Sequence, residues 1–289
     1  MEPEPSLTRE QTVVVVGVGL IGGSVAAAAM SRFQGCRVIG IGRNRERLRR
    51  AADAGLLSDW SETISGKTIP HGSLGVVCLP VDQIPNAAHE LLEAGCDVVT
   101  DAGSVKGSIC RDMNARRARR FIGAHPIAGS EHSGFEYADP DLFADRACIL
   151  TPLDSEPADV DRVAAFWRSI GMTVYRMTPD EHDRVLALTS HLPHILASVA
   201  AGCVAPELLP FTGTGYRDTT RIAAGSASLW TSILTDNARH CLDSIQAAQL
   251  LLARYRTALE DNDAALLKSL WEESATRRRQ LTYTPRGNG

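Results

Sequence analysis

The stretch GAHPIAGSEHSG, residues 123–134, gathers side chains that can move protons and accept hydrogen bonds. Turn formation accounts for its glycines, but not for His125 beside Pro126 or for the polar run Ser130–Glu131–His132–Ser133. A histidine just past an apolar strand, stiffened by the proline after it, is placed to act as an acid or base near neutral pH. Three other patches have comparable potential. In TDAGSVKGS, Asp101 and Ser104 follow the C-terminal end of a strand, where open α/β sheets bind ligands. SHLPH sets His191 and His194 three residues apart. In GTGYRDTTRIA, the run Asp218–Arg221 reads as a hydroxyl-capped helix start beside a guanidinium, which suits a carboxylate. The two histidines of SHLPH have a spacing that metals use. No third ligand of matching character stands nearby and Pro193 intervenes, so helix-start packing is expected and no metal site.

A fifth motif is of a different kind. VVVVGVGLIGGS places Gly17, Gly19 and Gly22 directly after a valine run and at the mouth of a helix. Glycines there allow a tight turn and close approach of a pyrophosphate to the backbone, while the helix N-terminus offers free N–H groups and a positive dipole end. Gly17, Gly19, Leu20, Ile21 and Gly22 are therefore expected to hold a dinucleotide, with Asp101 at its far side. The residue type at the end of the second strand selects between NAD and NADP. VIGIGRNRER has Gly42 where a carboxylate would accept ribose hydroxyls, followed by Arg43, whose guanidinium matches a phosphate. NADP is expected, with NAD as the alternative. The competing explanation is a solvated basic helix start, since Arg47, Arg49 and Arg50 follow.

These residues need a scaffold. Strand candidates recur at 12–16, 37–41, 74–79, 97–100, 120–123, 147–150 and 173–176, with helical patterns between several of them. That alternation predicts a parallel, doubly wound sheet. After Pro179 no clear strand appears. The expected fold is α/β, a doubly wound Rossmann-like domain over residues 1–179 followed by an all-helical domain over 180–289. From Leu234 to Leu259 apolar residues step by four and three for more than three heptads, which fits either a core helix or one packed across a dimer. The uncharged run Val13–Met30 is long enough to count as a membrane span, but its four glycines and valine strand favour strand, turn and helix.

Composition excludes other classes. The chain has 289 residues, 44% of them hydrophobic, and a formal net charge of −4, so no single-signed field points to nucleic acid or a membrane surface. Seven scattered cysteines without a C-x-x-C argue against a disulfide framework and for a reducing cytoplasm. The first eleven residues read as a frayed tail, not a secretory leader.

The motifs Gly17-x-Gly19-x-x-Gly22-Gly23-Ser24, Asp101-x-Gly103-Ser104-Val105-Lys106, the His125 loop, Ser190–His194 and Arg217-Asp218-x-Thr220-Arg221 occur together and in order. In this the chain resembles the prephenate/arogenate dehydrogenases of tyrosine biosynthesis from about residue 12 to 280. The resemblance implies a nucleotide-binding domain, a helical dimerisation domain and a homodimer. It implies NAD(P)-dependent oxidative decarboxylation of prephenate to 4-hydroxyphenylpyruvate. By the same resemblance His125 would accept the proton of the ring hydroxyl and Ser104 would hold that histidine in register. Arg221 would bind the ring carboxylate, with His191 and Glu131 in the pocket wall. Ser130 and His132, to which the resemblance gives no role, are expected to bear on substrate choice, Ser130 as a substrate-binding residue. The same chemistry on arogenate, or on another amino analogue of prephenate, is the sister reading. β-Hydroxyacid dehydrogenases share the plan, but they use a lysine early in the helical half, and here only Lys268 follows Lys106. A non-catalytic dinucleotide sensor would need no His125–Arg221 pair.

Overall fold

The structure is a computed structural model that describes residues 12–129 and 132–280. Eight strands form one sheet: β1 (Thr12–Val16), β2 (Arg37–Ile41), β3 (Asp59–Ser61), β4 (Leu74–Val77), β5 (Val98–Asp101), β6 (Phe121–Pro126), β7 (Ala147–Thr151) and β8 (Thr173–Arg176). Their spatial order is β3-β2-β1-β4-β5-β6-β7-β8. The order reverses between β1 and β4, which opens a crevice at their C-terminal ends.

The valine run of β1 explains why the sheet is covered on both sides. Its side chains alternate. Val13 and Val15 enter one apolar layer with residues of α1 (Leu20–Arg32), α2 (Arg45–Asp53) and α5 (Pro157–Ser169). Val14 and Val16 enter the other, with α3 (Ile84–Glu93) and α4 (Gly107–Ala115). The four-alanine run Ala26–Ala29 in α1, three of whose residues are buried, lets that helix lie close to the strands.

The pairing departs from the parallel expectation at one place. β6 and β7 are antiparallel, with His125 opposite Ile149, whereas β7 and β8 are parallel. A parallel return would need a crossover unit. Between β6 and β7 the described chain has no helix longer than the 3-10 turn Phe135–Tyr137, so it comes back alongside itself. Two other differences concern boundaries. β3 is a short, partly exposed edge strand without an apolar signature. β6 runs on through His125 and Pro126, so His125 lies inside a strand and not in the loop after it.

Beyond β8 the chain is helical: α6 (Pro179–Leu186), a π-helical turn (Ala187–His191), α7 (Leu192–Gly202), α8 (Thr214–Thr220), α9 (Ala227–Asp236), α10 (Ala238–Glu260) and α11 (Ala264–Arg279). The chain divides into two compact units, Met1–Ala238 and Arg239–Gly289. The first therefore includes α6 to α9. The 4,3 seam that begins at Leu234 is crossed by the break at Asn237 between α9 and α10. Within α10 its last members are open to solvent, Leu252 at 60% and Leu259 at 63%.

Candidate active site

The glycine turn is built as its spacing demands. Gly17 has a φ of +93°, and a Cβ there would meet the Cys78 carbonyl oxygen at 2.4 Å. At Gly22 a Cβ would meet the Gly17 carbonyl oxygen at 2.1 Å, so this residue closes the turn against the helix. A Cβ at Gly19 would meet nothing within 4 Å. That open side faces the start of α1, whose first turn holds no acidic residue and whose N-cap, Gly19, supplies no capping side chain. Backbone N–H groups there are left for an anion. Leu20 opens the helix, and Ile21 packs against the apolar layer.

A cavity of about 960 Å³ adjoins this turn, lined by Gly17 and Gly19, by Gly42, Arg43 and Asn44 after β2, and by Cys78 after β4. Asn44 caps α2 by accepting from the Arg47 N–H at 2.9 Å. Of the other arginines here, Arg45 lies 5.8 Å over the Trp60 ring, Arg49 pairs with Glu46 and Arg50 with Glu136, whereas Arg47 also lines the cavity and makes no ion pair among the described residues. Arg43 makes no ion pair among the described residues, which leaves its guanidinium to the cavity. The volume, the open glycine and the uncapped helix start fit a dinucleotide.

Asp101, expected to face a cofactor, is instead fully buried at the end of β5. Its carboxylate forms an ion pair with the equally buried Lys106 and accepts from the N–H groups of Ala124 at 2.9 Å and Gly103 at 2.8 Å. Lys106 Nζ also donates to the Ala124 carbonyl at 2.8 Å. The pair thus fastens the Ser104 loop to the residue before His125. Ser104 is half-buried, and no hydrogen bond joins it to His125 among the described residues.

His125 is oriented by a residue that the motifs did not single out. Its Nδ1 lies 2.8 Å from His182 Nε2, and His182 Nδ1 lies 2.8 Å from Asp183 Oδ1. Asp183 also accepts from the N–H groups of Lys106 and Gly107, each at 2.8 Å, at the start of α4. A carboxylate can only accept, so His182 carries its proton on Nδ1 and offers a lone pair at Nε2. His125 must then donate from Nδ1, which leaves Nε2 as its basic nitrogen. Burial, reinforced by the neighbouring His182, holds the His125 imidazole well below its ordinary pKa, so it is neutral in neutral solution. Burial also lowers His182. For Asp183 burial acts upward, but the bonds from His182 and the Lys106 N–H prevail, and the carboxyl stays below its usual range. The sequence signal was present in T-P-D-E-H-D: a capping box, Thr178 with Glu181, fixes the start of α6 and sends His182 and Asp183 inward.

Histidines of the SHLPH patch lie at the π-helical turn and the first turn of α7, with Pro193 in the first turn of that helix. His191 is buried, and burial lowers it to about 4. His194 donates from Nδ1 to the Ser190 carbonyl at 2.9 Å and stacks on Trp230 with ring centroids 3.7 Å apart. Arg221 stands close enough to His194 to add to the downward effect of burial. It is exposed, at the junction where α8 passes into a 3-10 turn, Arg221–Ala224; the N-cap of that turn, Thr220, makes no side-chain capping bond, and its hydroxyl donates to the Tyr216 carbonyl at 2.8 Å. Glu131 and Ser130 fall outside the described residues. Exposed His132 stacks on Tyr137 at 4.4 Å.

A nucleotide turn at the switch point of a doubly wound sheet, with an oriented neutral histidine on the same edge, defines a dinucleotide-dependent oxidoreductase. Two family models divide most of the chain: the nucleotide-binding domain of prephenate dehydrogenase matches residues 25–176, and its dimerization domain matches 178–273. The chain belongs to the prephenate dehydrogenase family. It is 31% identical to the prephenate dehydrogenase of Bacillus subtilis over 268 residues, 88% of this chain and 72% of that one. The structure of prephenate dehydrogenase from A. aeolicus in complex with hydroxyphenyl propionate and NAD+ superposes with a TM-score of 0.86 at 29% identity, covering 96% of this chain and all of that one. The arogenate dehydrogenase of Synechocystis gives 0.81 at 26%, over 93% and 99%. The activity is NAD(P)-dependent oxidative decarboxylation in tyrosine biosynthesis.

Proposed function

We propose that this enzyme acts on prephenate with NADP, and that His125 is its general base. The observation that carries the reading is the chain Asp183–His182–His125, which leaves His125 Nε2 with a lone pair on the cofactor edge of the sheet. The bound nicotinamide supplies the hydride acceptor. His125 Nε2 takes the proton of the ring hydroxyl as hydride leaves the carbon that bears it, so positive charge does not accumulate there. Arg221 holds the ring carboxylate that departs as carbon dioxide, and aromatisation drives that loss. Ser104, on the loop that the Lys106 bond ties to Ala124, keeps the hydroxyl in register. His191 lines the pocket, and Glu131 and Ser130, outside the described residues, are the further substrate-binding candidates. The enzyme mainly positions its reactants and excludes water.

Selection of NADP rests on Gly42 and on Arg43 at the cavity. In this reading the nucleotide-binding half spans residues 1–179 and the helical half 180–289. The helical half forms a homodimer: it exposes Leu188, Leu196 and Val199 on the continuous run Pro179–Gly202, and Leu242, Leu250 and Trp271 further on. By length and mean hydropathy that run could also cross a membrane, but it carries His182, Asp183 and His191 as buried polar residues. Association with a second copy gives its apolar residues a partner. Cysteines that form no disulfide among the described residues suit the cytoplasm.

The decisive experiment is a four-way assay of prephenate and arogenate, each with NAD and NADP, followed by cofactor reduction. The highest kcat/KM is expected for prephenate with NADP, and Arg43→Ala should remove the preference between cofactors. Faster turnover of arogenate would move the assignment to the sister substrate. Absence of reduction in all four combinations would refute the reading.

A further inference from the structure

The break between α9 and α10 contains a buried side chain whose two donated hydrogen bonds both reach the site. Asn237 caps the C-terminus of α9 and is 3% exposed. Its Nδ2 donates to the backbone carbonyl of Asp183 at 2.8 Å and lies 3.1 Å from His191 Nδ1. The carbonyl oxygen of Asp183 can only accept, so the amide cannot be turned over: the group facing it must be NH2. One of the two hydrogens on that nitrogen serves the carbonyl, and the other points at the imidazole. His191 must answer with a lone pair on Nδ1 and therefore carries its proton on Nε2.

We propose that Asn237 is a positioning residue that locks His191 as a neutral imidazole donating from Nε2. A proton on Nδ1 would set two donors face to face in a buried place, the arrangement that hydrogen-bond accounting penalises most. Charged and titratable groups around the ring leave the lock in place. Asp183, on α6, already receives His182 and the Lys106 and Gly107 N–H groups on its carboxylate, and His194, on α7, is occupied with the Ser190 carbonyl. The same amide holds the Asp183 backbone one turn before the π-helical segment, so His191 and the residue that orients His182 share one anchor. The inference rests on the placement of His191 in the substrate pocket, and its test separates the two ideas.

Selective 15N labelling of histidine reports the tautomer of each ring, with His191 assigned by its loss in His191→Gln. In the wild-type enzyme His191 is expected to show the Nε2–H tautomer, unchanged from pH 5.5 to 8. Asn237→Asp replaces the donor with an acceptor and should convert His191 to the Nδ1–H tautomer or to an imidazolium that titrates in this range. Asn237→Ala should leave a mixture of tautomers. Both variants should raise KM for prephenate by about tenfold, the effect of one misdirected hydrogen bond, with a smaller change in kcat. Dinucleotide binding at the glycine turn monitors whether each variant is folded. A wild-type His191 that carries Nδ1–H, or that titrates near its ordinary pKa, overturns the proposal without any variant. A switched tautomer with unchanged KM supports the lock and removes His191 from the pocket wall.

Discussion

His125 acquires its chemistry from two residues that stand far from it in the sequence. A neutral histidine has two tautomers, and only one leaves Nε2 free to take a proton; the carboxylate of Asp183 selects it through His182. His125→Asn should lower kcat by about 10²–10⁴, the usual scale for a lost general base, while dinucleotide affinity stays the same. Near-normal turnover would remove His125 from the reaction. The pH profile gives a second check. A base works when unprotonated, and the His125 pKa is depressed, so the acid limb of kcat/KM should lie below pH 6.5, the ordinary histidine value. His125 and Arg221 can be singled out as candidates from the sequence because each stands in a motif with a characteristic neighbourhood. His182, Asp183 and Asn237 were not. They lie on helices or at a helix end, and their importance arises from contacts across 46 to 77 residues of chain, which no local spacing reports.

At the level of elements the sequence was readable wherever burial on both faces imposed an apolar run. β1 and β2 match the expected bounds; β8 does too, although it is mostly exposed. Reading failed where tertiary pairing decides. β3 is held by the neighbouring β2 without an apolar code of its own, β6 is drawn out through Pro126 by β7, and the heptad seam passes unbroken through a position at which the helix stops. The glycines illustrate how geometry ranks residues that composition makes equal. Gly22→Ala would drive a methyl group into the Gly17 carbonyl, at a cost of about 1–3 kcal/mol, and should weaken binding of NAD and NADP alike. A Cβ at Gly42 meets only the Leu48 side chain, at 3.6 Å, so Gly42→Asp is sterically free. Its new carboxylate should shift the NAD/NADP ratio of kcat/KM towards NAD by about tenfold or more, which corresponds to ~1.4 kcal/mol. Comparing the two variants by cofactor titration separates the turn that holds any dinucleotide from the position that chooses one. If Gly42→Asp leaves the ratio unchanged, selection lies elsewhere.

For the whole molecule, the strand–helix alternation and its replacement by helices after β8 were both legible, because each extends over scores of residues. The compact division at Ala238 was not, since it depends on which helices pack with the sheet. One interior contact has a practical consequence. The chain contains three lysines, and two of them, Lys67 and Lys268, are exposed, whereas Lys106 is sealed against Asp101 between β5 and β6. An amine-acylating reagent should therefore modify Lys67 and Lys268 at once and reach Lys106 only when the centre of the sheet comes apart. Mass spectrometry of the Lys106 peptide through a urea series should follow the global unfolding curve, while the other two lysines react throughout. Early acylation of Lys106 would mean that this part of the sheet opens locally. With so few amines, the protein carries its own chemical clock for unfolding, and the central hand is the ion pair that also holds the strand carrying His125.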